Sequence, residues 1–187
     1  MLFIETLPFP DSYRAALAEG AAAACDLPAD SAESLFARGV VRLYLGREEE
    51  ARAALTACGL PAALLEIAFI DLRRRVELPA LLKRAEALAQ EAPPDSLLAA
   101  RAHHLAGLIE NQLRRLQPAS DRLLLAAEIY ERQGCRHGAA QVNDSLGMVL
   151  ASRGRADLAA LHFALSLSDK ALMGDKEGLA ITLGNLG

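Results

Sequence analysis

Gly147-Met148-Val149-Leu150-Ala151-Ser152-Arg153-Gly154, continued by Ala159 and Phe163, is the stretch on which the fold turns, because its spacing is written twice more in the same chain. Gly39 and Ala51, Gly107 and Ala119, and Gly147 and Ala159 are each 12 residues apart. Four residues after each alanine stands a large apolar side chain (Leu55, Leu123, Phe163), and three further on a small one (Cys58, Ala126, Ser166). A single helix has no need of such a grid. Two helices packed face to face do, because a glycine on one and an alanine on the other let their axes approach to roughly 8–10 Å while the larger residue fills the groove beside them. The octapeptide also matches Gly39-Val40-Val41-Arg42-Leu43-Tyr44-Leu45-Gly46 at an offset of 108, with both glycines kept.

Working outward, Gly134, Gly138, Ala140 and Gly147 recur as Gly174, Gly178, Ala180 and Gly187, each pair 40 residues apart, and Gly107 lies 40 before Gly147. The composition fits helices throughout: 52% of residues are hydrophobic but only 4% aromatic, so the core is built from Ala and Leu, the strongest helix formers. An all-α chain of helix hairpins is expected. Its 187 residues suffice for one domain or a short stack of repeats.

Punctuation places the elements. Pro8 and Pro10 mark an extended lead-in, and Asp11 is expected to cap a first helix reaching Cys25. Asp30 with Glu33 reads as an acidic capping box opening a helix that Gly46 ends, and a second helix runs from Arg47 to about Cys58. Pro61 and Pro79 stand where a first helical turn tolerates proline, giving helices near 61–74 and 79–91. Asp95 is expected to cap a helix to about Arg115, Pro118 to open the next, and Gly134 to close it. Helices at about 137–153, 156–172 and from 176 onward make ten. The expected organisation is a lead-in and helix over 1–30, then repeats near 31–58, 61–91, 95–133 and 137–173 with a partial one over 176–187. The repeat over 61–91 is degenerate, because Phe69 to Leu88 lacks the glycine.

Leu146-Gly147, Leu150, Ala159 and Phe163 resemble the tetratricopeptide repeat, and Gly46-Arg47-Glu48-Glu49-Glu50-Ala51 is similar to that family's inter-helix turn. The chain departs from the family pattern in lacking the early Trp, in placing Leu150 or Arg42 where Tyr is usual, and in its 40-residue period. That period, with the joint Gly174-Asp175-x-x-Gly178, resembles the long-helix variants of bacterial signalling proteins. The resemblance covers residues 31–187 and implies a right-handed α-solenoid of antiparallel helix hairpins. It also implies a non-catalytic role, holding a protein or peptide in a concave groove lined by the first helix of each repeat.

Helical projection supports such a wall. On the helix from 97, Leu98, Ala102, Leu105, Ala106, Ile109 and Leu113 fill one arc and Arg101, His104, Leu108, Asn111 and Gln112 another. On the helix from 140, Val142, Leu146 and Val149 face the core while Gln141, Asp144, Met148 and Ser152 form the second arc. These nine second-arc residues are the expected partner-binding surface. No catalytic set emerges beside them: His103 and His104 project about 100° apart and read as a solvated or satisfied pair, and Cys135 and His137 flank a turn with no third group to orient the histidine. Arg73-Arg74-Arg75 reads as a solvated helix end. The glycines occupy packing and capping positions with no strand before them, which excludes a phosphate-cradling loop.

A net charge of −4 without long single-sign runs excludes nucleic acid as the expected partner. Cys25, Cys58 and Cys135 are odd in number and far apart, so neither a disulfide framework nor a metal site is expected, nor any cofactor, and a reducing cytoplasm suits them. The amino-terminal apolar run is interrupted at Glu5 and has no basic leader, so neither a signal peptide nor a membrane span is expected. The run 179–187 is apolar and repeat-like, from which self-association through the last helices is expected. An alternative role is that of a regulatory, sensory or dimerisation segment of a larger signalling protein such as a nucleotide cyclase, histidine kinase or transcription activator.

Overall fold

A computed structural model describes residues 10–25 and 27–186. Among these there are eleven α-helices and no strand. The lead-in around Pro8, and Gly187 as the counterpart of Gly147, lie outside the described residues. The helices fall into two compact units, 1–76 and 77–187.

In the first unit, α1 (Asp11–Glu19), α2 (Ala21–Cys25), α3 (Ala32–Tyr44), α4 (Glu48–Cys58) and α5 (Pro61–Arg73) pack in sequence around Tyr13, Phe36, Val41, Leu55 and Ile70. The single helix expected over 11–25 is broken, because Gly20 takes φ 137°, and this is why eleven helices stand where ten are expected. The cap of α1 is Pro10, not Asp11. On α3 the cap is Ser31 rather than Asp30: the Ser34 amide donates to Ser31 Oγ at 3.1 Å and the Ser31 amide to Ser34 Oγ at 2.9 Å, so serine supplies both halves of the box. The arginine run is not merely solvated. Arg73 donates to Glu48 at 3.1 Å, and Arg74 donates to Glu48 at 2.7 Å and Glu49 at 2.5 Å, clamping the end of α5 to the start of α4.

In the second unit, α6 (Leu78–Glu91), α7 (Leu97–Gln112), α8 (Leu116–Arg132), α9 (Arg136–Ser152), α10 (Ala156–Met173) and α11 (Lys176–Leu186) each pack on the next in the chain. In addition α7 touches α9, and α9 touches α11, which is the stacking of hairpin on hairpin. Ser96, not Asp95, caps α7, and α8 begins at Leu116, ahead of Pro118. The boundary at Val76 and Glu77 falls inside the stretch read as the 61–91 repeat, so α5 is described with α4 and α6 with α7.

The small-residue grid is the contact between the two helices of a hairpin. A Cβ built on Gly39 would lie 2.6 Å from Leu55, on Gly107 2.7 Å from Leu123, and on Gly147 2.5 Å from Phe163, so no larger residue fits without displacing a buried side chain. Ala51, Ala119 and Ala159 are buried beside them, as are Cys58, Ala126 and Ser166. Gly147→Leu is expected to destabilise the protein by roughly 1–3 kcal/mol, although leucine is the better helix former. Denaturant melts check this, and an unchanged midpoint would contradict the packing.

Hairpin turns repeat the same geometry with one exception. Gly46 and Gly154 carry φ 73° and 74°, whereas the position 40 before Gly154 is Arg114, at φ 62°. A side chain in that region costs about 1–2 kcal/mol relative to the right-handed conformation. Arg114→Gly is expected to raise stability by roughly 0.5–1 kcal/mol, part of the relief being offset by the freer unfolded chain. A melting temperature at or below the parent's would count against it.

Candidate functional site

The expected surface divides in two. Gln112, Met148 and Ser152 are exposed, and Arg101, Leu108, Asn111 and Gln141 are half-buried. Within the 40-residue register Arg101, Gln141 and Ile181 hold equivalent positions on α7, α9 and α11, as do Leu108 and Met148 on the first two. Met148 is 36% and Ile181 56% exposed. The wall is therefore mixed, with apolar Leu108, Met148 and Ile181 set among amide and hydroxyl groups.

His104 and Asp144 do not belong to that open surface. They are also 40 residues apart, and both are buried where one first helix packs on the next. His104 Nε2 lies 3.0 Å from Ser145 Oγ, which itself donates to the Gln141 carbonyl. Ser145 is thus left accepting from His104 while serving as donor to the backbone. Burial first, and the charge of Arg101 second, hold the His104 imidazole down to about 3, so it is neutral near pH 7. Asp144 is gripped by Lys170 of α10 and by Thr182 of α11: Lys170 Nζ donates to the Asp144 carboxylate and, at 2.7 Å, to Thr182 Oγ1. Thr182 Oγ1 also lies 2.9 Å from Asp144 Oδ1. A two-face projection places these residues on the surface because it omits the third flank, the one covered by the next hairpin.

The Asp144–Lys170–Thr182 cluster is the feature missed in the sequence. Lys170 stands 40 residues after Tyr130 and Thr182 40 after Val142, so polar groups occupy the register of two core residues. Tyr130 lies over Gly138, and at Gly178 the Lys170 stem stands 3.0 Å from the Cβ position, behind the nearer Asp175 carboxylate. A buried ion pair loses two hydration shells, and it holds only where the remaining hydrogen-bonding capacity is met, which Thr182 does here. A second polar pair also repeats at this interval. His103 of α7 lies 3.5 Å from Arg122 of α8, and Asn143 of α9 lies 2.8 Å from His162 of α10. His103 is half-buried and His104 buried, each with a partner. His137, half-buried, has its Nε2 3.3 Å from Gln141 Nε2, and burial lowers it from the ordinary histidine range.

Chemically, the wall offers donors, acceptors and apolar contact. The histidines are turned toward helix partners. Cys25, Cys58 and Cys135 are buried thiols in no disulfide. No helix among the described residues is long and apolar enough to cross a membrane.

Comparison with solved structures gives the fold its place. The chain superposes on the apo form of RapI with a TM-score of 0.62 at 19% identity, covering 92% of this chain and 66% of that one. With BtubC from P. vanneervenii the TM-score is 0.62 at 18% identity, covering 94% and 76%. With MamA 41-end from Desulfovibrio magneticus RS-1 it is 0.55 at 17%, covering 86% and 92%. The fold is an all-α solenoid of stacked helix hairpins. No protein-family model matches the chain, and no curated protein matches it significantly. The chain spans just under two thirds of the RapI chain.

His104 sets a pH dependence. An unfolded chain protonates this imidazole near 6.5, whereas the folded one resists until about 3. Its contribution to stability is complete above pH 6.5 and declines by about 1.4 kcal/mol per unit as pH falls through that window. Between pH 7 and 5 the parent is expected to lose roughly 2 kcal/mol more than His104→Gln. Denaturant melts at the two pH values measure the difference, and equal losses would contradict the burial.

Proposed function

We propose that the chain is a non-catalytic platform that holds a peptide or helix of a protein partner along the open flank of α7 and α9, in a reducing cytoplasm. The observation that carries this reading is the contrast between the two halves of the expected surface. His104 and Asp144 are spent on holding one hairpin to the next, while Leu108, Gln112, Met148 and Ser152 keep accessible surface on the adjoining flank. The backbone beneath that flank is fixed by packing on both sides. A preformed surface loses little entropy on binding, so modest apolar contacts suffice for specific capture. The alternation of apolar Leu108 and Met148 with amides and hydroxyls suits a peptide that presents side chains and backbone together. A role without chemistry of its own also fits His103, His104, His162 and Asp144, which serve as links between helices.

Selection of a displayed random-peptide library on the immobilised protein tests this. Peptides enriched by the parent are expected to lose about tenfold or more in affinity for Met148→Glu, which places a charge on the wall. They are expected to bind Leu124→Glu, on α8, as the parent does, since Leu124 is an exposed residue away from the wall. Both substitutions are at exposed positions, and melting temperatures near the parent's are expected. Peptides that bind Met148→Glu undiminished would refute the assignment.

A further inference from the structure

The edge of the wall where α7 turns into α8 and α9 into α10 is basic, in a chain whose net charge is −4. Arg114 and Arg115 stand in the first turn and Arg153 and Arg155 in the second, directly after Gln112 and Ser152, the last residues of α7 and α9. Because α7 packs on α9, the two turns lie side by side. All four arginines are exposed. Arg115 reaches Glu110 at 3.5 Å and Arg155 reaches Asp157 at 3.6 Å, whereas Arg114 and Arg153 form no ion pair among the described residues. At the other end of the same hairpins the arginines are paired: Arg132 with Asp95 at 2.8 Å, Arg136 with Asp169 at 3.6 Å.

Local structure does not account for the basic edge. Arg114 takes φ 62°, where Gly46 and Gly154 serve the other hairpin turns. Strain of this kind concentrates at positions that meet a ligand. Arg115 and Arg155 are the N-cap residues of α8 and α10, make no side-chain cap bond, and lie at the positive end of the helix dipole. Glycine at the first position and a serine or an acid at the other two would suit the fold better.

We propose that the peptide held by the wall is acidic on one side: its apolar residues rest on Leu108 and Met148, and its carboxylates lie over Arg114 and Arg153. This rests on the platform reading and adds the chemistry of the partner to it. Exposed guanidinium groups present paired donors that match a carboxylate. Leu108 and Arg114 are six positions apart, roughly 9 Å of helix, which about three residues of an extended peptide span. Opposite charge at this edge also steers the encounter. A nucleic acid would leave the apolar part of the wall unused.

Peptides selected on the immobilised parent are the probe, with binding read by fluorescence anisotropy at low and at high salt. They are expected to carry Asp or Glu about three residues from an apolar residue. Arg153→Gln and Arg114→Gly are each expected to weaken them roughly two- to fivefold at low salt, a difference that shrinks at high salt. Arg132→Gln, about 25 Å from Arg115 along α8, is expected to bind as the parent does. Arg114→Gly is also expected to melt above the parent, which separates lost capture from lost structure. Peptides weakened by Met148→Glu that carry no acidic residue and are indifferent to both arginine substitutions would overturn the proposal and leave the platform standing. Peptides indifferent to Met148→Glu would remove the platform and this proposal with it. A single-stranded DNA oligonucleotide held through Arg153 more tightly than any selected peptide would overturn it in favour of a phosphate-binding edge.

Discussion

Three hairpins of this protein, α3–α4, α7–α8 and α9–α10, are each closed by a glycine lying beneath a large side chain of the opposite helix: Gly39 under Leu55, Gly107 under Leu123, Gly147 under Phe163. The arrangement answers a problem set by composition. With no Trp and 4% aromatic residues, the chain has few bulky groups with which to fill wide gaps between helices. Bringing backbones together removes the gap instead, and the cost in helix propensity is small beside the dispersion and burial gained along two long helices. Once that contact fixes the distance, Ala51, Ala119 and Ala159 are the right size for their neighbours, and the positions after them follow.

A second layer of contacts holds hairpin to hairpin, and here the register is kept while the chemistry changes. His104 bonds Ser145, whereas Asp144 bonds Lys170 and Thr182. Tyr130 covers Gly138 with an aromatic ring, and at Gly178 the Lys170 stem stands behind the nearer Asp175 carboxylate, its ammonium ending on Asp144. The packing of α11 is therefore made by directional, charged contacts, where that of α9 on the hairpin before it uses a neutral hydrogen bond and an aromatic ring. Such contacts tolerate few alternative alignments, because a slipped helix would leave a buried charge unpaired.

Most of the helices and their order were legible in the sequence, as were the core faces of α7 and α9, since glycine spacing and apolar periodicity are local signals. Caps were misplaced by one residue at Asp30 and Asp95, because Ser31 and Ser96 stand directly after them and a serine hydroxyl closes the same turn. The break at Gly20 was hidden in a run of alanines that favours helix on either side. The wall was legible only in part. Period analysis separates a core face from an outer face, but in stacked hairpins a third flank is also covered, and that flank takes in His104 and Asp144. The 40-residue offset carried the missing signal: a lysine aligned with Tyr130 and a threonine aligned with Val142 mark the buried pair.

If the glycine contact governs the fold, its two members must act as one. A double-mutant cycle on Gly147→Ala and Phe163→Leu measures this most directly: the added methyl should be far better tolerated once the ring is replaced, giving a coupling energy of about 0.5–3 kcal/mol in chemical denaturation. Strictly additive effects would show that the glycine and the ring do not constrain each other, and would contradict the account.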